Sequence, residues 1–423
     1  MRILWSDTAP AGPVLPAIAE PLACDVLVAG GGYTGLSAAL HLAEAGADVA
    51  LLEADVVGAY ASGRNGGQVV PGLKPDPDAL AGRFGATTAE RMLRIARDAA
   101  DQVFRLVERH RIDCAAARNG WIQAAYSARS LALVEARARM LQRSGARVDF
   151  LARSDMASAT GSRFHHGGMI ERDAGSVQPL AYAHGLARAA SLAGARLFER
   201  SRVEHLRSDQ GRWVALANGQ PVIAKNVVLA TEAYTGALWP AVTQSMVNVT
   251  SAQIATEPLP ADLLRTLIPS RAGVSETRKI TYYYRIDPQG RFVIGGRGPL
   301  SDTLTDSTRD AIRKAAVARY PALAGVAWTH GWSCRVGMTI DDLPHLHELA
   351  PGLWTAYGYC GRGVALATKM GEVLAAKVMG RMSDATDYPV TPLRRIPLQP
   401  LHQPLAAALI TWHRLRDALG FPA

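Results

Sequence analysis

The sequence predicts an α/β fold, a Rossmann-like domain carrying an inserted β-rich (α+β) domain, and three observations predict it. The first is the stretch from Asp25 to Glu53. There a short apolar run, a glycine turn, a helical pattern, a second apolar run and an acid follow one another. The second is a later apolar run, Leu353–Tyr357, feeding a glycine-rich turn and another helical pattern. The third is a change of texture between about 240 and 330, where aromatic and β-branched runs with a hairpin turn replace alternating strands and helices.

Taken in order, residues 1–22 carry Pro10, Pro13, Pro16 and Pro21 and read as an extended lead-in anchored by Trp5. Val26–Ala29 has strand length, and Leu36, Ala39, Leu40 and Ala43 recur at helical spacing until Gly46 stops the helix. Val49–Leu52 is a second strand, closed by Glu53. Gly30, Gly32 and Gly35 fit G-x-G-x-x-G. The first glycine allows the tight turn, the second lets the backbone approach a pyrophosphate, and the third lets helix and strand pack closely. Free amides at the helix N-terminus then face the phosphates, and Glu53 stands where a carboxylate binds ribose hydroxyls. A glycine triplet alone is weak evidence. The strand before it, the helix after it and the acid at the right distance make it a dinucleotide site, with Thr34 and Ala54 in the same set of expected contacts.

The segment Ser62-Gly-Arg-Asn-Gly-Gly-Gln68 follows. Its free amides and its Ser62, Arg64, Asn65 and Gln68 side chains, with Gly66 and Gly67, suit a pyrophosphate or the edge of a polar ring, against the plainer reading of a surface turn. Residues 76–111 and 127–145 read as arginine-decorated amphipathic helices, with a strand at 120–125 between them. A helix over 178–190, a strand at 195–198 leading to Val203, and the apolar strand 225–230 complete this half. Ligands of doubly wound sheets lie at the carboxyl ends of strands, which makes Val203, Ala230 and Thr231 candidate neighbours of the dinucleotide. Residues 246–255 and 279–286 read as strands, and Asp287-Pro-Gln-Gly290 is a hairpin turn returned by 291–295. After a strand at 353–357, glycines at 358, 361 and 363 free the start of the helix 364–379 for close approach by a ligand, and Gly361, Arg362, Gly363 and Val364 are candidate contacts. A glycine cap between strand and helix is the bland alternative. The tail at 404–419 is amphipathic and suits packing on the body.

At 423 residues the chain expects two domains. The net charge of +9 is spread over helical faces without a dense basic run interleaved with aromatics, which disfavours nucleic acid as a partner. The four cysteines have no C-x-x-C spacing, as in a reducing, cytoplasmic compartment. No leader pattern opens the sequence, and no apolar run is long enough to span a bilayer. The oligomeric state is left open.

The two glycine constellations and the polar loop between them resemble the FAD-dependent amine and amino-acid oxidoreductases, the family of D-amino-acid oxidase, glycine oxidase and sarcosine oxidase. Ser62–Gln68, Ala230-Thr-Glu-Ala-Tyr-Thr235 and Gly358-Tyr-Cys-Gly-Arg-Gly-Val-Ala-Leu-Ala367 look most like its γ-glutamylputrescine oxidase branch. The resemblance covers nearly the whole chain. It implies FAD as the cofactor, a discontinuous FAD-binding domain at 23–85, 150–235 and 328–380, and a substrate domain at 86–149 and 236–327. Residues 1–22 are then the lead-in and 381–423 the tail. It also implies hydride transfer from the carbon beside a neutral amine to flavin N5, hydrolysis of the resulting imine to an aldehyde, and electrons passing to dioxygen or another acceptor. The flavin carries the hard step in such chemistry, and no dedicated catalytic base is required. Tyr283, Tyr284, Arg285 and Arg335 are the candidate pocket residues, with an ordinary aromatic strand as the competing reading of the first three.

Two positions depart from the family pattern or sharpen it. Amino-acid-oxidising relatives carry an Arg in a G-x-R-P-x-T-x-D motif that grips the substrate carboxylate; aligned on Thr339 and Asp341, that position is Val336. The departure favours an amine whose reacting carbon bears no carboxylate, since a buried carboxylate without its guanidinium is costly. The same-class rival is an α-amino-acid oxidase or dehydrogenase gripping its substrate with Arg335 or Arg285. Rivals of another class are a tRNA-modifying flavoprotein and a flavoprotein subunit dependent on partners. Cys334 takes the slot that holds a flavin-linked cysteine in the sarcosine oxidase group; non-covalent FAD is the expectation, with the covalent link as alternative.

Overall fold

The computed structural model describes residues 2–299 and 303–397, with Trp412 and Arg416 beyond them. Apart from Trp412 and Arg416, the helix expected at 404–419 lies outside the described residues.

Among the described residues, two eight-stranded sheets and a two-stranded one, Gln68–Val69 with Gly175–Ser176, are present. The first is centred on strand Leu22–Ala29, which pairs in parallel with Val49–Leu52 on one side and with Gln220–Leu229 on the other. Arg196–Phe198 extends it past Val49–Leu52, and Leu353–Tyr357 extends it in parallel past Gln220–Leu229. These central strands are apolar on both faces because both faces are covered. Helices Tyr33–Glu44, Ala86–Arg109, Pro179–Leu192 and Gly363–Val378 bury a common core with one face. Tyr33–Glu44 and Gly363–Val378 approach so closely that a Cβ on Gly371 would lie 2.5 Å from Ser37 Cβ. Ser37 Oγ seals the contact by donating to Thr368 O at 2.6 Å. The hairpin Val203–Asp209/Arg212–Ala217 pairs antiparallel with Gln220–Leu229.

The second sheet runs Trp328–Met338, Val247–Thr256, Phe292–Arg297, Tyr283–Ile286, Gly273–Glu276, Trp121–Ala125, Gly167–Glu171, Val148–Leu151. It is the β-rich domain expected from sequence, but its membership differs from the expected boundaries. Trp328–Met338 pairs along its length with Val247–Thr256. Val148–Leu151 and Gly167–Glu171 also belong to this sheet. The expected cuts at 150 and 328 therefore fall on strands of the second sheet. Conversely, helix Ala86–Arg109, expected in the substrate domain, buries its apolar stripe in the core of the first sheet.

The lead-in is not wholly extended: it opens on a short helix, Leu4–Thr8. Trp5 is its anchor, fully buried, with Nε1 donating to Asn65 O at 2.8 Å and its ring edge-on to Trp332.

Candidate active site

A cavity of about 1710 Å³ opens between the two sheets. The glycine turn forms one end. Gly30 takes φ +110°, and a Cβ on Gly35 would come within 1.9 Å of Gly30 O, so the helix can start this close to the strand only with glycine there. Gly30, Gly31, Gly32, Tyr33 and Thr34 line the cavity. A Cβ on Gly32 would lie 2.9 Å from Ser62 Oγ, which accepts from Tyr33 N–H at 3.0 Å. Glu53 is buried beside the turn and accepts from Gly31 N at 2.6 Å and Asp55 N at 2.9 Å. Burial raises its carboxyl above the ordinary value, while the amides act against this.

Ala54, Val203, Ala230 and Thr231 line the same stretch, as do Ser62, Asn65, Gly66 and Gln68. Asn65 fixes its loop from within: Nδ2 donates to Ser62 O at 2.7 Å and Oδ1 accepts from Gly67 N at 2.8 Å. Gln68 ties the loop to the second sheet, accepting from Ser275 Oγ at 3.0 Å. At the other end, Gly361, Arg362, Gly363 and Val364 bring the N-terminus of helix Gly363–Val378 to the cavity. Gly361 takes φ +88°, and Gly363 has open space: a Cβ placed on it would meet nothing closer than 3.9 Å.

Several expected contacts have other duties. Gly35 serves packing and does not face the cavity. Arg64 does not line it; its carbonyl accepts from Gln253 Nε2 at 2.6 Å and Trp332 Nε1 at 2.8 Å, pinning the loop to the second sheet. Gly67 lies between Val177 O and the Arg285 guanidinium, where only a missing side chain fits. The Arg362 guanidinium is buried and donates to Pro71 O at 2.5 Å, bracing the segment before Lys74.

Of the four pocket candidates, Tyr283 and Arg335 line the cavity, together with Val336 and Cys334. Tyr283 lies flat over Gly295, and its hydroxyl pairs with Ser251 Oγ at 2.6 Å. Tyr284 points the other way, as strand alternation requires, and packs on Phe292 and Tyr320 in the core of the second domain. Arg285 shares the face of Tyr283 but is buried under Trp5 and donates to Gly66 O and Val177 O, each at 2.8 Å. It is a brace, not a cavity residue. Cross-strand pairing aligns Trp332, Gln253, Gly295, Tyr283, Ser275, Gln123 and Met169 in one uncharged row on the cavity side. Arg297, beside Ser251 in the adjoining row, and Glu232, a cavity carboxylate at φ +40° accepting from Ala233 N, are not legible in the sequence. A non-glycine residue in the turn after an apolar strand is the only available signal for Glu232.

Among the described residues, no cluster of His, Cys, Asp and Glu could hold a metal, and no helix is long and apolar enough to cross a membrane.

The cavity fits an extended dinucleotide. It is continuous from the helix start at Gly32 to the helix start at Gly363, glycines line both ends, and a buried acid, Glu53, stands beside the first glycine turn. Fold and site together define a flavoprotein oxidoreductase. Residues 25–377 match the family described as FAD dependent oxidoreductase, and the chain belongs to that family. It is 31% identical over 404 residues to gamma-glutamylputrescine oxidoreductase of Escherichia coli (strain K12), spanning 95% of this chain and 94% of that protein. It is 32% identical over 426 residues to the probable oxidoreductase OrdL of Rhizobium meliloti (strain 1021), spanning 98% and 96%. The crystal structure of glycine oxidase from Geobacillus kaustophilus superposes with a TM-score of 0.74 at 23% identity, over 89% of this chain and 100% of that one, and shares the fold.

Proposed function

We propose that the protein oxidises a C–N bond of an amine whose reacting carbon bears no carboxylate, a γ-glutamylputrescine-like polyamine derivative, giving an imine that hydrolyses to an aldehyde. Bound FAD supplies the two-electron acceptor, and the electrons then leave to dioxygen or another acceptor. The glycine turn, Glu53, Ser62 and the start of helix Gly363–Val378 would hold it.

The observation that carries this reading is the uncharged floor. The residue in the carboxylate-gripping slot is Val336, Arg285 is turned under Trp5, and the row through Tyr283 carries no charged side chain. A carboxylate beside the reacting carbon would find no guanidinium in that row, and a bare amine needs none. The chain's own contribution is orientation and exclusion of water. Tyr283 is held rigid by Ser251 and Gly295, and the second sheet closes the cavity over the loop at 62–68. Placement of this kind removes much of the barrier before chemistry begins.

Arg297 and Arg335 on the cavity wall support a second reading, an α-amino-acid oxidase or dehydrogenase that grips the carboxylate from another direction. Anaerobic rapid mixing separates the two. Flavin bleaching by γ-glutamylputrescine that is fast relative to glycine, sarcosine and D-alanine supports the amine reading. The reverse order establishes the second.

A further inference from the structure

The cavity continues past the dinucleotide portion into a lobe walled by helix Ala128–Arg143. Ser130, Leu133, Val134, Arg137 and Met140 face it, the spacing of one helical face. With Val70 and Trp121 opposite, the lobe is mostly apolar. Arg137 is its one cation from this helix. The Arg137 guanidinium makes only long contacts, to Lys74 O and Leu73 O at 3.2 Å each, and its buried Nε has no hydrogen-bond partner.

Behind Arg137 lies a separate void of about 50 Å³, bordered by Arg97, Arg362 and Glu171. Among the described residues, none of Arg97, Arg137 and Arg362 has a carboxylate within 4.0 Å, although Glu171 is buried nearby with Oε2 unpartnered. Arg147 and Asp173, also at this void, neutralise one another. Three guanidiniums thus face one carboxylate, and guanidinium stays charged in proteins. Burial and the Arg137 charge together push even Arg362 down to about 10. The local excess of positive charge calls for an anion on the cavity side.

We propose that Arg137 is a specificity-determining residue that receives a carboxylate remote from the reacting nitrogen of the substrate. The proposal rests on the amine reading above and narrows it to amines carrying an acidic group at the far end of an apolar chain. The reach is set by the sheet. Tyr283, Ser275 and Gln123 are neighbours on successive strands, so the lobe begins about 10 Å from Tyr283. That distance is roughly eight or nine bonds of extended chain. The apolar wall accommodates methylenes, and Gln123 Oε1, buried without a partner, accepts an N–H along the way. A γ-glutamyl group on a diamine places its carboxylate at about this reach.

The test compares two substrates with the same reacting amine, γ-glutamylputrescine with its carboxylate and N-acetylputrescine without one. Anaerobic flavin bleaching gives a dissociation constant for each in the wild type, Arg137→Gln and Arg137→Lys holoenzymes. The wild type should bind the γ-glutamyl compound at least tenfold more tightly. Arg137→Gln should abolish that preference while leaving N-acetylputrescine within twofold, and Arg137→Lys, which keeps charge but loses the fork, should retain part of it. Equal binding of both compounds by the wild type overturns the proposal alone, as does an Arg137→Gln preference that persists or a loss shared equally by both compounds. Should Arg137→Gln not fold, an unchanged preference in Arg137→Lys with 0.5 M salt present overturns it. Bleaching by neither compound, with bleaching by glycine or sarcosine, overturns the amine reading and this proposal with it.

Discussion

Thr34 Oγ1 and Tyr359 Oη lie 2.7 Å apart, joining the two glycine turns across 325 residues of sequence. The single phenolic proton of Tyr359 goes to Ala356 O at 3.0 Å, so Thr34 is the donor in this pair. The bond sets how far the start of helix Tyr33–Glu44 stands from the loop at 358–363, and therefore the width of the dinucleotide cleft. Tyr359→Phe leaves the ring in place and strands the Thr34 hydroxyl in a buried site. The expected cost is about 1–2 kcal/mol, or roughly a tenfold weaker FAD dissociation constant, measured by fluorescence titration of apoprotein.

Gly32 faces Ser62 Oγ with no room for a side chain. Gly32→Val places branched carbons where the phosphates approach and displaces the hydroxyl that receives Tyr33 N–H. The variant should purify colourless, with FAD affinity reduced by about 100-fold or more, some 2.7 kcal/mol. Stoichiometric yellow protein would remove the turn from the cofactor site.

Gly363 differs from Gly32 in having space around it. Gly363→Glu should therefore fold and bind FAD while setting a negative charge at the first turn of the helix, where the backbone dipole is positive. Reduced flavin is anionic at its pyrimidine edge, and the added charge opposes reduction. A lower midpoint potential and at least a tenfold loss of turnover, about 1.4 kcal/mol of barrier, are expected. An unchanged potential in the flavin-bound variant would place this loop away from the ring.

What is legible in the sequence follows from local sterics. The glycine turn announces itself because Gly30 and Gly35 have demands that no other residue meets, and the hairpin at 287–290 is marked by its own Pro and Gly. What is hidden depends on partners distant in sequence. Trp328–Met338 is close in sequence to the second glycine turn and so reads as part of the first domain, yet its ladder partner is Val247–Thr256. An apolar alternation gives a strand its faces but not its neighbour. Alternation does place Tyr283 and Arg285 on one face. That Arg285 is then sealed off depends on Trp5, delivered by the N-terminal helix. Arg137, on a helix rich in exposed arginines, carries no local mark that separates it from them.

One contribution to acid stability lies in the second domain, where the Glu276 carboxylate is fully buried between Arg319, at 2.5 Å, and His165, at 3.1 Å. Burial raises its pKa, and His165 and Arg319 more than reverse this, holding it at about 2 against an ordinary 4.5. A group whose folded pKa is depressed stabilises above its unfolded value and loses that stability as pH falls through the folded one. The protein should therefore lose thermal stability between about pH 4.5 and 2. Glu276→Gln leaves Arg319 buried without its counter-charge and should cost about 3–5 kcal/mol at neutral pH. It should also flatten the decline of Tm in acid; a variant with the same acid slope would locate the titrating group elsewhere.

Cys334 lines the cavity beside Tyr283, in the slot where the sarcosine oxidase group bears its flavin link. Position alone does not make the bond. A cysteine must attack as a thiolate, and a thiolate is sustained by a cation alongside it. The nearest candidate along the chain, Arg335, is the next strand residue and carries its guanidinium 5.7 Å from the centre of the Tyr234 ring. Cys334 meanwhile directs its sulfur toward Arg64 O at 3.9 Å, the same carbonyl that holds Gln253 and Trp332. This arrangement is one of packing beneath the loop at 62–68, and it predicts non-covalent FAD. Denaturation by acid or heat should release yellow FAD into the supernatant and leave a colourless pellet, and Cys334→Ser should retain flavin. A pellet that stays yellow, with intact mass raised by one FAD and the increment lost in Cys334→Ser, would establish the covalent link instead.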